Sequence, residues 1–97
     1  MYASVRKYEV SDNAEFRKRV QDEFVPIISQ APGFVAYYLI EADAGVTASV
    51  SIFQDKAGAE ESNRLAADWV KQRVTELVKG APQITAGEMT VTKWLGM

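Results

Sequence analysis

Residues 46–54, VTASVSIFQ, alternate aliphatic side chains with side chains that mostly carry a hydroxyl group. This period of two is typical of a β-strand whose two faces meet different surroundings. A second strand pattern, FVAYYLIEA, begins at Phe34, and the tight-turn sequence DAG at 43–45 joins the two. The pair therefore predicts an antiparallel β-hairpin in the middle of the chain, flanked by segments that extend or cover its sheet.

The segments before the hairpin predict a strand followed by a helix. Residues 2–10, YASVRKYEV, are rich in side chains that favour β-structure. Asp12 then stands where it can cap a helix, and an apolar stripe recurs every four residues from Phe16 to Phe24. Pro26 either kinks this helix or begins a second short one.

The segments after the hairpin repeat that order. A long helix is predicted over roughly residues 57–79, where the glycine and proline of KGAP end it. The stretch 84–96, ITAGEMTVTKWLG, supplies a fourth strand. The order β-α-β-β-α-β predicts an α+β, ferredoxin-like fold in one domain, residues 1–97. It would have a four-stranded antiparallel sheet with two helices on one face.

The alternation also predicts which side chains share a face of the sheet. We expect the helices to meet the aliphatic set, Ala3, Val5, Val46, Ala48, Val50, Ile52, Met89 and Val91. The opposite face would carry Ser4, Arg6, Tyr8, Thr47, Ser49, Ser51, Phe53, Glu88, Thr90, Thr92 and Trp94. The second strand is apolar on both sides. Either Val35, Tyr37 and Leu39 or Phe34, Ala36, Tyr38 and Ile40 could therefore join this face.

Such a helix-free face would combine hydroxyl groups, an arginine, a glutamate and large aromatic rings. A soluble monomer does not normally expose an apolar patch of that size. We therefore expect a homodimer through the sheet face, in which two copies enclose a cavity for a small apolar or aromatic ligand. The ligand-binding residues expected are Tyr8, Tyr38, Ser49, Ser51, Phe53, Arg73, Glu88, Thr90 and Trp94.

The composition argues against several kinds of site and partner. The chain has neither cysteine nor histidine, so it lacks thiolates, the commonest general base and the commonest transition-metal ligand. We predict no metal site and no cofactor. The net charge of −2 does not favour a nucleic-acid partner, and the third strand lacks the glycines and basic residue of an RNA-recognition module. Without a long apolar run or an N-terminal leader, we expect a cytoplasmic protein with no membrane partner.

Several features resemble a known superfamily. The β-α-β-β-α-β order, the APGF sequence before the second strand and the long second helix are similar to those of the dimeric α/β-barrel superfamily. Within it, the chain resembles the antibiotic biosynthesis monooxygenase-like proteins. The phrases FVPIISQAPGFVAYY and AGAEESNRLAADWV also resemble a group of short bacterial proteins of unknown function. The haem-binding branches use an axial histidine, and its absence disfavours haem chemistry here.

The resemblance implies a cofactor-free enzyme that acts on a small aromatic or polyketide-like substrate. The deprotonated substrate itself reduces dioxygen, while hydrogen-bond donors around an apolar cavity position it and stabilise the anion. The catalytic candidates are Arg6, Asn63, Trp69 and Tyr37, with Tyr38 as a further donor and Tyr8 and Glu88 as alternatives.

Each of these candidates also has a purely structural interpretation. Trp69 falls on the packed arc of the second helix, and Asn63 could bond nearby backbone. Arg73 could extend its charged end into water. Arg6 and Glu88 could pair across neighbouring strands. The alternative function is accordingly a non-catalytic dimer that binds a small ligand or has a structural role.

Overall fold

The computed structural model describes residues 1–96, and its elements follow the predicted order. The strands are β1 (Tyr2–Glu9), β2 (Phe34–Glu41), β3 (Val46–Phe53) and β4 (Gln83–Glu88). They form one sheet in the order β2-β3-β1-β4, in which all neighbouring strands are antiparallel. The predicted ferredoxin-like α+β fold is confirmed, although β4 ends eight residues before the predicted boundary at 96.

The first helical segment is continuous but changes from α-helix to π-helix and back. It consists of α1 (Asn13–Arg19), a π-helical turn (Val20–Phe24) and α2 (Val25–Ile28). Asp12 caps it as predicted, because its carboxylate accepts a hydrogen bond of 3.0 Å from the backbone N–H of Glu15. Pro26 lies in the first turn of α2, so the segment begins a second short helix there. The predicted stripe from Phe16 to Phe24 is buried.

The second helical segment consists of α3 (Lys56–Trp69), a π-helical turn (Val70–Val74) and a 3-10 turn (Thr75–Leu77). The carboxylate of Asp55 caps α3 by accepting a hydrogen bond of 2.9 Å from the N–H of Gly58. A Cβ atom at Gly58 would lie 2.7 Å from the ring of Phe53. Glycine therefore lets the first turn of α3 approach β3 closely, and the next turn brings Ser62 and Asn63 onto the sheet.

The two faces of the sheet are reversed relative to the prediction. The helices cover the side chains expected on the far side, Ser4, Arg6, Tyr8, Thr47, Ser49, Ser51 and Phe53, which are all buried. Tyr37 and Leu39 lie on the same side, since they pair with Ser51 and Ser49. A bulge between Phe34 and Ala36 sets this register. Within β1 and β3 the sets of side chains that share a face were predicted correctly, but the side that meets the helices was wrong. Thr92 and Trp94, predicted to share the face of Arg6, lie beyond β4 and beside Tyr38 and Ile52 instead.

The opposite surface, here called the free face, is not covered by any helix within residues 1–96. It carries the largely apolar set Ala3, Val5, Ala36, Tyr38, Ile40, Val46, Ala48, Val50 and Ile52, together with the polar Lys7, Glu9, Gln83 and Thr85. Tyr38 and Ile40 are 56% and 52% exposed. The reversal has a physical reason, because the hydroxyl and guanidinium groups need hydrogen-bond partners that the second helical segment supplies, whereas the aliphatic side chains need none.

The C-terminal segment also departs from the prediction. Val91, expected to face the helices, is 90% exposed, and Met89 lies instead beside the free face. Arg6 and Glu88 do not pair, because Arg6 stands opposite Ile84 in the β1–β4 register while Glu88 lies 3.9 Å from the N-terminal amine. Among residues 1–96, no helix has the length and apolar character needed to cross a membrane.

Candidate functional site

A buried arginine lies at the centre of the helix-covered face. Arg6 is 1% exposed. Its Nη1 donates hydrogen bonds to Asn63 Oδ1 at 2.9 Å and to Ser62 Oγ at 3.4 Å, and its Nη2 donates to Ser51 Oγ at 2.8 Å. Within residues 1–96 it forms no ion pair, and its Nε–H has no acceptor. A buried guanidinium with only neutral partners strongly favours the approach of an anion.

Three aromatic residues, Phe24, Tyr8 and Tyr37, also lie near the guanidinium of Arg6. Its Cζ lies 6.0 Å from the centre of the Phe24 ring. Burial raises the pKa of Tyr8, and it raises the pKa of Tyr37 to about 12, although the charge of Arg6 opposes both shifts. The neighbouring Ser49 hydroxyl also acts to lower the pKa of Tyr37. Ser49 Oγ itself has no hydrogen-bond partner among residues 1–96. Both tyrosines are therefore neutral phenols near neutral pH, able to donate hydrogen bonds but unable to act as bases.

Arg6 and Asn63 line a cavity of about 320 Å³ between α3 and the β1–β4 side of the sheet. Its volume is at the lower end of the usual range for ligand pockets, so it suits a small molecule. Most of its wall is apolar, and the remaining lining residues are Tyr8, Ala67, Val70, Lys71, Thr75, Gly80, Ala81, Pro82 and Ile84.

Three larger hollows are less suited to a specific ligand. One of about 610 Å³ lies beside β2, one of about 670 Å³ lies on the free face near Trp94, and one of about 360 Å³ lies between the two helical segments beside Trp69. Among residues 1–96, none of the three is lined by a buried charged side chain. Specific sites combine an apolar wall with a few fixed polar groups. The smaller cavity, which contains the buried guanidinium, is therefore the candidate functional site.

Trp69 and Arg73 lie away from this cavity. The Trp69 ring packs in the core against Phe16 and Phe24, with ring centres 6.1 and 5.2 Å apart. Its indole N–H and the exposed side chain of Arg73 both donate hydrogen bonds to Glu23, at 3.3 and 3.0 Å. The structure thus brings Arg6, Tyr8 and Asn63 together at the cavity, while it places Trp69 and Arg73 in a separate cleft.

The other nominated residues fall into two groups. Ser49, Ser51, Tyr37 and Phe53 lie beneath the helices, next to Arg6 or deeper in the core. The side chains that lie outside the helix-covered core are Tyr38, Glu88, Thr90 and Trp94. The expected chamber between two sheets, lined by the hydroxyl-bearing face, is therefore wrong, because that face is covered by helices of the same chain.

Sequence reasoning did not nominate Ser4 or Ser62 as site residues. The Ser4 hydroxyl donates a hydrogen bond of 2.5 Å to Asn63 Oδ1, and Ser62 accepts one from Arg6. Their positions carried a signal, since Ser4 shares a strand face with Arg6 and Ser62 precedes Asn63 on the helix. The sequence does not indicate that this strand face and this helix contact each other.

Glu23, unlike Arg6, has oppositely charged partners within residues 1–96, and these ion pairs predict a pH-dependent stability. A hydrogen bond from Arg19 Nε at 2.5 Å, with others from Arg73 and Trp69, lowers the pKa of Glu23 to about 2. Because the pKa is lower in the folded state, the stabilisation is full above the ordinary value of 4.5 and is lost as the pH falls toward 2. We expect Glu23→Gln to lower the melting temperature at neutral pH, and the difference from wild type to shrink below pH 4.5.

Circular dichroism melts across this pH range would measure that difference. Glu60→Gln is the control, because Glu60 is exposed and its ion pair in the described part of the chain is a 3.7 Å contact with Lys56. It should change the melting temperature little at any pH. A Glu23→Gln deficit that stays constant from neutral pH to pH 2 would contradict the role assigned to this carboxylate.

Comparisons with known proteins identify the fold. No family model matches the sequence, and no curated protein matches it. Solved structures do match over nearly the whole chain. A protein of unknown function from Nitrosomonas europaea, NE2512, superposes with a TM-score of 0.79 at 17% identity, covering 99% of this chain and 95% of that one. A candidate antibiotic biosynthesis monooxygenase from Bordetella bronchiseptica gives 0.74 at 18% identity, covering 93% and 97%.

A third match is SnoaB from Streptomyces nogalater, a cofactor-independent oxygenase, with a TM-score of 0.69 at 12% identity, covering 99% of this chain and 97% of that one. The chain has the fold of the antibiotic biosynthesis monooxygenase-like proteins. The predicted resemblance to this fold is confirmed. At such identities the monooxygenase-like fold is what the proteins share, and the residues of the cavity must be judged by their own chemistry.

Proposed function

We propose that this protein is a cofactor-independent, monooxygenase-like enzyme that binds a small aromatic or polyketide-like substrate as its phenolate or enolate anion. The observation that carries the proposal is Arg6, a buried guanidinium that lines an apolar cavity and has no carboxylate partner within residues 1–96. An anion in that cavity would supply the missing countercharge. The oxygenase SnoaB, which has the same fold, supports the reaction type.

The side chains around the cavity favour ionisation of the substrate through stabilisation of its anion, rather than proton abstraction by a general base of the protein. No carboxylate lines the cavity within residues 1–96, and Tyr8 is held as a neutral phenol. Arg6, with the amide of Asn63, would stabilise the anion and so lower the pKa of the bound phenol or enol. The substrate proton would then leave to water through the mouth, where Lys71 and Thr75 are exposed.

The oxidation itself would take place between the bound anion and dioxygen. For a substrate with an activated methylene group, four electrons pass to dioxygen. One oxygen atom becomes the new carbonyl oxygen, and the other leaves as water with the two hydrogens. The apolar wall formed by Ala67, Val70 and Ile84 would keep bulk water from the reacting carbon, while the donors on the sheet hold its charged end.

We also propose that the working form is a homodimer joined through the free face. The β2–β3 part of that face is mainly aliphatic and has no helical cover within residues 1–96, while Lys7, Glu9, Gln83 and Thr85 add polar groups on β1 and β4. Monomers seldom expose such a surface, and a second copy offers an equally apolar one to bury it. Since the catalytic cavity lies on the other side of the sheet, each copy would carry its own complete site.

Replacing Arg6 by methionine tests the enzymatic proposal. Methionine has a similar length but no charge, so the core can stay filled while anion stabilisation is lost. With anthrone and dihydroxyanthrone as substrates, we expect wild-type protein to consume dioxygen and to incorporate one labelled oxygen atom into the product. Arg6→Met should lower kcat/KM at least about 100-fold with little change in melting temperature.

Arg64→Met is the matched control, because Arg64 is an exposed arginine on α3 that binds Glu61 and Asp68 at the surface. It should keep full activity. Wild-type protein that binds these compounds with Arg6-dependent affinity yet consumes no dioxygen would overturn the oxygenase proposal and favour a ligand-binding dimer. Equal rates for wild type and Arg6→Met would overturn the assigned site.

A further inference from the structure

We infer that Ser4 is a positioning residue that turns the side-chain amide of Asn63 so that its N–H group serves the bound anion. The inference rests on the proposed function and assigns a role to a residue beyond the groups that would touch the substrate. It depends on the hydrogen bonds that meet at one oxygen atom.

The orientation of the Asn63 amide follows from its neighbours. Arg6 Nη1 lies 2.9 Å from one atom of the amide, and a guanidinium has no acceptor, so that atom must be the oxygen. The Ser4 Oγ lies 2.5 Å from the same oxygen, and its hydroxyl must therefore donate its hydrogen to it. Both bonds hold the oxygen toward the sheet.

This arrangement leaves the other half of the amide free. Among residues 1–96, Nδ2 of Asn63 donates no hydrogen bond, whereas Asn63 is only partly buried and lines the cavity. With its oxygen held by Ser4 and Arg6, the amide presents N–H donors away from the sheet. A free amide N–H beside a buried guanidinium is the kind of preorganised donor pair that stabilises an oxyanion.

Ser4 is itself too deeply buried to touch a ligand. It is 0% exposed and does not line the cavity. Its effect on an anion must pass through Asn63. The inference therefore predicts a specific coupling, in which loss of the Ser4 hydroxyl matters only while Asn63 is present.

A double-mutant cycle with p-nitrophenol as the probe tests this coupling. The ionised probe absorbs visible light, so its pKa in the bound state can be titrated directly. We expect wild-type protein to lower the pKa of the bound probe, and Ser4→Ala to weaken binding of the anion about threefold to tenfold while leaving the neutral form unaffected. Adding Ser4→Ala to Asn63→Ala should have no further effect.

Thr47→Val controls for the loss of a buried hydroxyl on the same face, because Thr47 is 0% exposed and its hydroxyl bonds Asn13 rather than Asn63. It should leave the probe pKa at the wild-type value. Effects of Ser4→Ala and Asn63→Ala that simply add would overturn the inference and assign Ser4 to stability alone.

A measurement without ligand separates this inference from the proposed function. The side-chain NH₂ signals of Asn63 can be assigned in heteronuclear NMR spectra by their loss in Asn63→Ala. We expect them to shift or broaden in Ser4→Ala and to stay unchanged in Thr47→Val. Unchanged signals in Ser4→Ala would overturn the inference. If these signals respond but the wild type does not lower the pKa of p-nitrophenol, the positioning role stands and anion stabilisation at the site fails.

Discussion

Replacing Asn63 by aspartate is expected to raise the melting temperature while it removes anion binding at the cavity. A carboxylate at this position would lie where the amide oxygen now accepts a 2.9 Å hydrogen bond from Arg6. It would supply the countercharge that the buried guanidinium lacks among residues 1–96, through a charge-assisted hydrogen bond. The same carboxylate would repel a phenolate and would replace the free N–H donor with an acceptor. We expect the affinity for the p-nitrophenol anion to fall at least about 100-fold.

Two comparisons make this result specific. Asn63→Ala removes the donor without neutralising Arg6, so it should weaken anion binding less than Asn63→Asp and should lower the melting temperature. Asn63→Gln keeps the side-chain amide but lengthens the side chain by one methylene group. Calorimetry with p-nitrophenol would measure the affinity for the anion, and thermal melts would measure the melting temperature. An Asn63→Asp variant that melts lower than wild type, or that still binds the anion as well, would show that Arg6 is not short of a countercharge.

Placing a lysine at Val50 is expected to convert the proposed dimer into folded monomers. Val50 lies at the middle of the free face, between Val5 on β1 and Tyr38 on β2. In a monomer the lysine would reach water, so the fold should survive. In the proposed dimer its charge would be buried against an aliphatic surface, which is unfavourable by several kcal/mol. We expect the dissociation constant to rise at least about 100-fold.

Analytical ultracentrifugation at micromolar concentration would measure the change, with circular dichroism to confirm the fold. Gln72→Lys adds the same charge at an exposed position on the helical layer and should leave the dimer intact. Wild-type protein that sediments as a monomer would contradict the dimer. If Val50→Lys is monomeric and still lowers the pKa of p-nitrophenol, each chain carries a complete site, as the position of the cavity implies.

Local patterns predicted the elements and their caps because each depends on neighbouring residues. The Asp12 cap needs only the N–H group three residues later, and the buried stripe from Phe16 to Phe24 needs only the helical period. The end of β4 was missed, since the alternating pattern continues to Trp94 while the pairing with β1 stops at Glu88.

The candidate site was predictable only in part. Arg6 and Asn63 were nominated, and the structure brings them within 2.9 Å of each other across 57 residues of chain. Trp69 was nominated as well, but it packs in the core and binds Glu23. Nothing local to Ser4 indicates that its hydroxyl meets Asn63, because that contact depends on how closely α3 approaches the sheet.

The sequence by itself determined which side chains share a face, since a strand's period of two places alternate residues together whatever surrounds them. Only the tertiary structure decided which face meets the helices. Arg6, Ser49 and Ser51 can be buried there because α3 supplies the amide and hydroxyl of Asn63 and Ser62, and because Gly58 lets that helix come close. The aliphatic face needs no such partners, and it is therefore the one that the helices leave free.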